Sequence, residues 1–199
     1  MISCFKGKFK VTSPRGYRTH PVTGAKGEYH KGIDLVGLED NTVYSICDGT
    51  VRTAYQSGGA GYYVVVTMAD GRRVFYMHLK KDSFKVENGE KVKKGQALGI
   101  MGSTGSSTGN HTHLELRPKG TTGNSLDICE FTGIPNKVGT YENKVEAKML
   151  TSANDITWEL NHSYFPITET AKFIRELEEA KVKNSSLYWG YYKLANKIK

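Results

Sequence analysis

At 199 residues the chain can hold one well-cored domain, or one such domain with a small appendage. Hydrophobic residues make up 38% and charged residues 24%, and no apolar run nears the roughly 20 residues that span a bilayer, so the chain is not expected to be integral to a membrane. A net charge of +8 draws the protein toward polyanions, but no cluster of Lys and Arg alternates with aromatics as a single-strand groove requires, so nucleic acid is not an expected partner.

The amino terminus, MISCFKGKFK, has no apolar segment followed by a small-residue cleavage site, so no secretory signal is expected and export would take another route. Three cysteines, Cys4, Cys47 and Cys129, are an odd number without a close pair, which argues against both a disulfide framework and a cysteine-rich metal site.

From Lys8 to about Pro118, short β-branched and aromatic runs alternate with glycine-rich turns, the pattern of an antiparallel sheet. Predicted strands are Thr42–Ile46, Gly49–Gln56, Tyr62–Met68, Arg73–His78, Ala97–Met101 and His111–Leu116. Ala69-Asp70-Gly71 supplies the positive-φ position of a tight hairpin, so the third and fourth of these should pair and leave His78 at a strand end. The run from Glu87 to Gln96 reads as a turn-rich solvated connection. Gly102–Gly109, GSTGSSTG, has the composition of a linker, but its place directly before a His-x-His strand marks it as a functional loop.

After Glu130 the character changes. Ile134–Val145 reads as a connection, and helix signals follow: Ser152 with Asp155 capping a segment to about Leu160, then Thr168 opening a helix with Phe173, Ile174, Leu177 and Ala180 at helical spacing. Asn184 to Ser186 then cap a third, which sets Leu187, Tyr188, Tyr191, Leu194, Ala195 and Ile198 on one face. The expected organisation is a mainly β domain, a compact antiparallel sheet over residues 1–133, with a small helical module over residues 134–199 that binds, docks or stabilises.

Six histidines occur, and four fall in tight local contexts. His30 and Asp34 are split by Gly32 in YHKGIDL, in a loop entering a strand that can converge both on one ion. His111 and His113 stand in NHTHLEL, where strand alternation turns His111, His113 and Glu115 to one side and Leu114 and Leu116 to the core. His78 ends the hairpin strand. Together these offer an ion two neutral imidazole nitrogens and one carboxylate, leaving a fourth position open for water. Glu115 is either a partner that orients one of the histidines or a plain surface carboxylate. Tyr17, Arg18, Tyr29 and Tyr62 are further candidates for a groove, each with a packing or surface alternative. His20 and His162 are read as outside the site.

The segments HKGID and GSTGSSTGNHTHLELR resemble the paired signatures of the M23 family of metallopeptidases, the LytM and lysostaphin type. SPRGYR, YMHL and VKKGQALG match in the family's order, over residues 10 to 118 or so. The resemblance implies a LytM-like antiparallel fold with a groove for an extended peptide and one Zn²⁺ held by His30, Asp34 and His113. It also implies His111 and His78 as catalytic histidines, with either able to serve as the general base. Asn110 and Thr112 stand where the family often carries proline and leucine. The implied activity is hydrolysis of peptide bonds in the stems or cross-bridges of bacterial peptidoglycan. A metal-free wall-binding or regulatory module of the same fold is the alternative, opposed by the presence of all five residues. Peptidoglycan, and through the positive charge anionic wall polymers, are the implied partners. Without a secretory signal, action at the wall implies a phage or prophage lysin, released through a pore or carried on a virion.

Overall fold

The computed structural model describes residues 1–19, 24, 26–120 and 124–143. Contacts divide the chain into two units, Met1–Val145 and Glu146–Lys199, and the described residues all lie in the first. The helices expected beyond residue 150, His20 and His162 lie outside the described residues.

The strands are β1 (Gly7–Ser13), β2 (Gly16–Arg18), β3 (Glu28–His30), β4 (Ile33–Gly37), β5 (Thr42–Tyr44), β6 (Gly49–Gln56), β7 (Gly61–Thr67), β8 (Arg73–Leu79), β9 (Lys91–Val92), β10 (Ala97–Ile100), β11 (Thr112–Arg117) and β12 (Gly139–Asn143). Among the described residues one short helix, α1 (Ile128–Thr132), precedes β12. Eight strands form a sheet in the order β12-β1-β4-β11-β8-β7-β6-β9, and β10-β5 and β2-β3 form two small pairs; every pairing is antiparallel. The mainly β, compact antiparallel architecture expected from the sequence is the one observed.

All six predicted strands are present, within two residues of their expected ends. The hairpin forms as the turn chemistry requires: β7 pairs with β8 down to Thr67 opposite Arg73, and Gly71 sits at φ 85°, where a Cβ would be strained. Asp70 completes the turn by accepting from the Arg72 amide at 2.9 Å.

Strands β1, β2, β3, β4 and β9 were not among the predicted ones, and neither were two elements nearer the carboxyl end. Strand β12 lies inside the stretch expected to be a connection, residues 134–145, and pairs with β1 from Gly7 opposite Asn143 to Val11 opposite Gly139. Residues 139–143, placed by sequence in the second module, thus belong to the sheet of the first. Helix α1 is capped by Asp127, which accepts from the Cys129 and Glu130 amides, and ends on left-handed Gly133. At five residues it is too short to show periodicity.

Alternation sorts the sheet into two faces. Leu114, Leu116, Val74, Tyr76, Val64 and Val66 turn to the core, where they meet Phe5, Phe9, Ile33, Leu35 and Leu98, all buried. The opposite face carries Phe75, Met77 and Val65 with Tyr63 and, on β11, His113 and Glu115. Cys4, Cys47 and Cys129 are buried free thiols, as their spacing implied. Among the described residues no helix is long and apolar enough to cross a membrane.

Candidate active site

Register alone brings two of the donors together. On β4, Asp34 stands directly opposite His113 of β11, although 79 residues separate them, and His113 in turn stands opposite Met77 of β8. His30 ends β3, next to β4 across the two-residue turn of Lys31 and Gly32. That turn demands glycine. A Cβ at position 32 would collide with the Leu114 carbonyl and stand 2.6 Å from His113 Nε2, so the HKGID spacing works only with a bare backbone there.

Three donor atoms converge. His30 Nε2 lies 2.9 Å from His113 Nδ1, His113 Nδ1 lies 2.9 Å from Asp34 Oδ1, and Asp34 Oδ1 lies 3.2 Å from His30 Nε2. All three residues are buried, and as a group they are able to hold a metal ion. Three tetrahedral donors at zinc's usual bond lengths sit about 3.3 Å apart, so a slight opening of this triangle would seat the ion.

The second nitrogen of each histidine fixes which atom faces the cluster. A carbonyl has no hydrogen to give, so His30 Nδ1 must donate to Pro14 O at 2.8 Å, which leaves Nε2 bare. At His113 the order is reversed: Nε2 faces the Glu115 carboxylate at 3.4 Å, so Nδ1 is the nitrogen turned to the cluster, open to an ion once its proton leaves. Glu115 is itself gripped by Arg117 through Nε at 2.7 Å and Nη2 at 3.0 Å. Of the two readings open for Glu115, the structure selects the orienting partner, because the side chain is buried and bonded to His113 rather than exposed.

Burial works against charge throughout, yet the contacts overrule it at three groups. Asp34 is held far below the ordinary carboxylate range because the hydrogen bonds of His113 and His30 outweigh its desolvation. Glu115 is lowered to about 2, desolvation being overcome by His113 and Arg117. His113 is raised to about 9, its burial overcome by Asp34 and Glu115. Without an ion, then, a proton on His113 occupies the middle of the cluster.

His78 and His111 stand beside this cluster. Strict alternation along β8 puts Met77 on the site face and would send His78 to the core. Instead His78 has a left-handed backbone, φ 65°, at an irregularity of register between β7 and β8, which turns its ring toward His111 with centroids 4.7 Å apart. Its Nδ1 donates to the Thr104 carbonyl at 2.8 Å, so Nε2 is bare. Burial, against that carbonyl bond, pushes its pKa down to about 4 and keeps it neutral. His111 repeats the arrangement: Nδ1 donates to the Gly109 carbonyl at 2.8 Å, and Nε2 lies 3.8 Å from Asp34 Oδ1.

A cleft of about 510 Å³ opens over these groups, lined by Thr12, Arg18 and Thr19 and by Ser106 and Thr108 of the Gly-Ser-Thr segment with Asn110 after it. The Gly-Ser-Thr loop is therefore a wall of the site, as its position suggested. Of the other groove candidates, Arg18 lines the cleft, whereas Tyr17, 81% exposed, and Tyr29 pair edge to face on the β2–β3 hairpin. Tyr62 packs between Tyr55 and Phe84. The carbonyls of Pro14, Thr104 and Gly109 and the Arg117 guanidinium were not read from sequence; backbone groups carry no residue signature, and a strand-end arginine reads as surface.

Residues 28–125 match the description "Peptidase family M23". Among solved structures, a mutant of the catalytic domain of the prophage-encoded M23 protein EnpA from Enterococcus faecalis is 34% identical, with a TM-score of 0.51, over 59% of this chain and 87% of that one. The chain belongs to the M23 peptidase family. An uncharacterized metalloprotease of Haemophilus influenzae is 41% identical over 60% of this chain and 25% of its own length, and the peptidoglycan DD-endopeptidase ShyA of Vibrio cholerae is 35% identical over 65% and 30%. The chain thus spans only about a quarter to a third of the curated relatives it matches.

Proposed function

We propose that this protein is a zinc-dependent endopeptidase that hydrolyses peptide bonds in the stems or cross-bridges of bacterial peptidoglycan, with His30, Asp34 and His113 as metal ligands and His111 and His78 as catalytic histidines. The observation that carries the reading is the convergence of two imidazole nitrogens and one carboxylate oxygen beside two more histidines whose free nitrogens are also set by hydrogen bonds. Family membership and the likeness to a peptidoglycan DD-endopeptidase support the substrate class.

A zinc ion held there supplies a Lewis acid for the scissile carbonyl and lowers the pKa of bound water to about 7. The chain's own residues handle the protons. His111 Nε2, bare and close to the carboxylate of the cluster, is placed to take the water proton and to return it to the leaving amine. His78 Nε2 is equally bare, so it is placed to share the proton handling, taking the water proton in place of His111. The two histidines are exchangeable on this geometry. The cleft, walled by hydroxyl-bearing side chains, suits an extended peptide whose amides seek polar partners.

The reading locates the activity at the cell wall, and the prophage-encoded relative favours a phage or prophage lysin. Mass spectrometry of fragments released from defined muropeptides tests it. New amino and carboxyl termini should form with the wild-type chain, vanish with chelator, return with added zinc, and be absent with His113→Ala. Cleavage undiminished by both chelator and that substitution would overturn the mechanism.

A further inference from the structure

Asp34 is held from two sides, and only one of them is the metal cluster. Its Oδ1 faces His30 and His113, while its Oδ2 lies 3.2 Å from Arg18 Nη1. The same Nη1 donates to Ser13 Oγ, and Ser13 stands opposite Asp34 because β1 shifts register between Val11 and Ser13. Thr12 Oγ1 donates to the Asp34 main-chain carbonyl at 3.2 Å, and the neighbouring Pro14 carbonyl holds His30. Residues 12–18 thus touch two of the three residues of the cluster, yet they precede residue 28, where the family match begins.

We propose that Arg18 is a positioning residue for the metal: by engaging Asp34 Oδ2 it leaves only Oδ1 for the ion, so that Asp34 binds through one oxygen and a coordination position stays open. The inference rests on the zinc reading above. A carboxylate free to rotate can chelate with both oxygens; one whose second oxygen is drawn toward a guanidinium is held in the orientation that presents the other. The ion pair is not a solvent-screened surface contact, since the two side chains are 24% and 11% exposed. Arg18 keeps this orientation although its buried Nε has no hydrogen-bond partner among the described residues, so the Nη1 contacts decide where the guanidinium lies.

Metal affinity tests this without any peptidase assay. The full chain is stripped, and Zn²⁺ is titrated in competition with a chromophoric chelator. Arg18→Met should weaken zinc binding by roughly 10–100-fold, the usual penalty for losing a partner that orients a ligand. Arg18→Lys should fall between, because an ammonium keeps the charge but lacks the fork that orients a guanidinium on its partners. With Co²⁺ in place of zinc, Arg18→Met should weaken the visible absorption as Asp34 turns to chelate and the coordination number rises. Circular dichroism of the metal-free proteins checks folding. Should Arg18→Met fail to fold, Ser13→Ala, which releases the guanidinium from its other anchor, should show the same shift in smaller measure. Zinc affinity and cobalt spectrum both unchanged in a folded Arg18→Met protein would overturn the proposal even if its activity fell. A wild-type chain that takes up no zinc would overturn this inference and the zinc mechanism together, whereas a loss of affinity with an unchanged cobalt spectrum in folded Arg18→Met would overturn this inference and leave the zinc mechanism standing.

Discussion

The two sides of the cleft hold their histidines by different means. On the sheet side the clamps are charged side chains: Glu115 orients His113 and is gripped by Arg117, while Arg18 engages Asp34. On the loop side they are main-chain carbonyls, Thr104 for His78 and Gly109 for His111. His30 crosses the division, being a member of the cluster held by the Pro14 carbonyl. A charged clamp tunes the basicity of what it holds and can be removed by one substitution. A carbonyl clamp fixes a tautomer without adding charge, so it leaves an imidazole free to take up and release a proton. The first suits a group that must hold an ion, the second a group that must move protons.

The sharpest way to break this contrast is to remove His111. Replacement by alanine should cost about 10²- to 10⁴-fold in the rate of peptide cleavage, the ordinary worth of a general acid or base, while leaving one zinc per chain. Metal content by atomic emission and single-turnover rates on the same preparation decide it. A His111→Ala protein that lost its metal along with its activity would mean that the two sides are one unit.

The two sides should also answer pH in opposite senses once metal is removed. At His78 burial prevails and the pKa falls to about 4; at His113 burial is overcome by Asp34 and Glu115, and it rises to about 9, each from 6.5. Between pH 4 and 6.5 the unfolded chain carries a proton at position 78 that the folded chain lacks, so stability climbs with pH. Between 6.5 and 9 the folded chain keeps a proton at position 113 that the unfolded chain releases, so stability declines. Asp34 and Glu115, both lowered, add to the climb only at the acid end. Urea denaturation in chelator should therefore show a maximum near pH 6.5, and saturating zinc should abolish the decline above it, because the ion replaces the proton on His113. A profile rising steadily to pH 9 in the metal-free protein would show that His113 carries no such proton.

How much of this was legible in the sequence depends on which atoms do the work. Of the strands around the site, β8 and β11 were readable because alternation in THLELR and the Asp-Gly turn are side-chain signals, and the same alternation put His113 and Glu115 on one face, whereas β3 and β4 were not among the predicted strands. The cluster itself needed the joint order of several short segments, since the pairing of Asp34 with His113 is a matter of register between strands 79 residues apart. Sequence marks His78 only as a strand end; that it reaches the site depends on a left-handed residue, which no side-chain pattern announces. The carbonyl clamps were invisible for the same reason. Strand β12 was missed because GTYEN, an exposed edge, shows little of the burial that marks an inner strand.

The contrast between backbone and side-chain clamps also sets the smallest of the expected effects. Ser107 Oγ lies 3.3 Å from His111 Nδ1, close enough to pass for a catalytic hydroxyl, but the Gly109 carbonyl at 2.8 Å already takes the Nδ1 hydrogen. The hydroxyl also bonds Gly109 O at 2.8 Å and Ser103 Oγ at 2.8 Å, so its work is to shape the loop that presents the carbonyl. Removing it by Ser107→Ala sacrifices exposed hydrogen bonds worth about 1 kcal/mol at most, a loss water can largely replace. Cleavage should fall by less than about 5-fold, a barrier change of roughly 1 kcal/mol, with zinc affinity unmoved. A fall comparable to that of His111→Ala would mean that the tautomer of His111 is set by the serine side chain and not by the backbone, and the division between the two sides of the cleft would fail at its most exposed point.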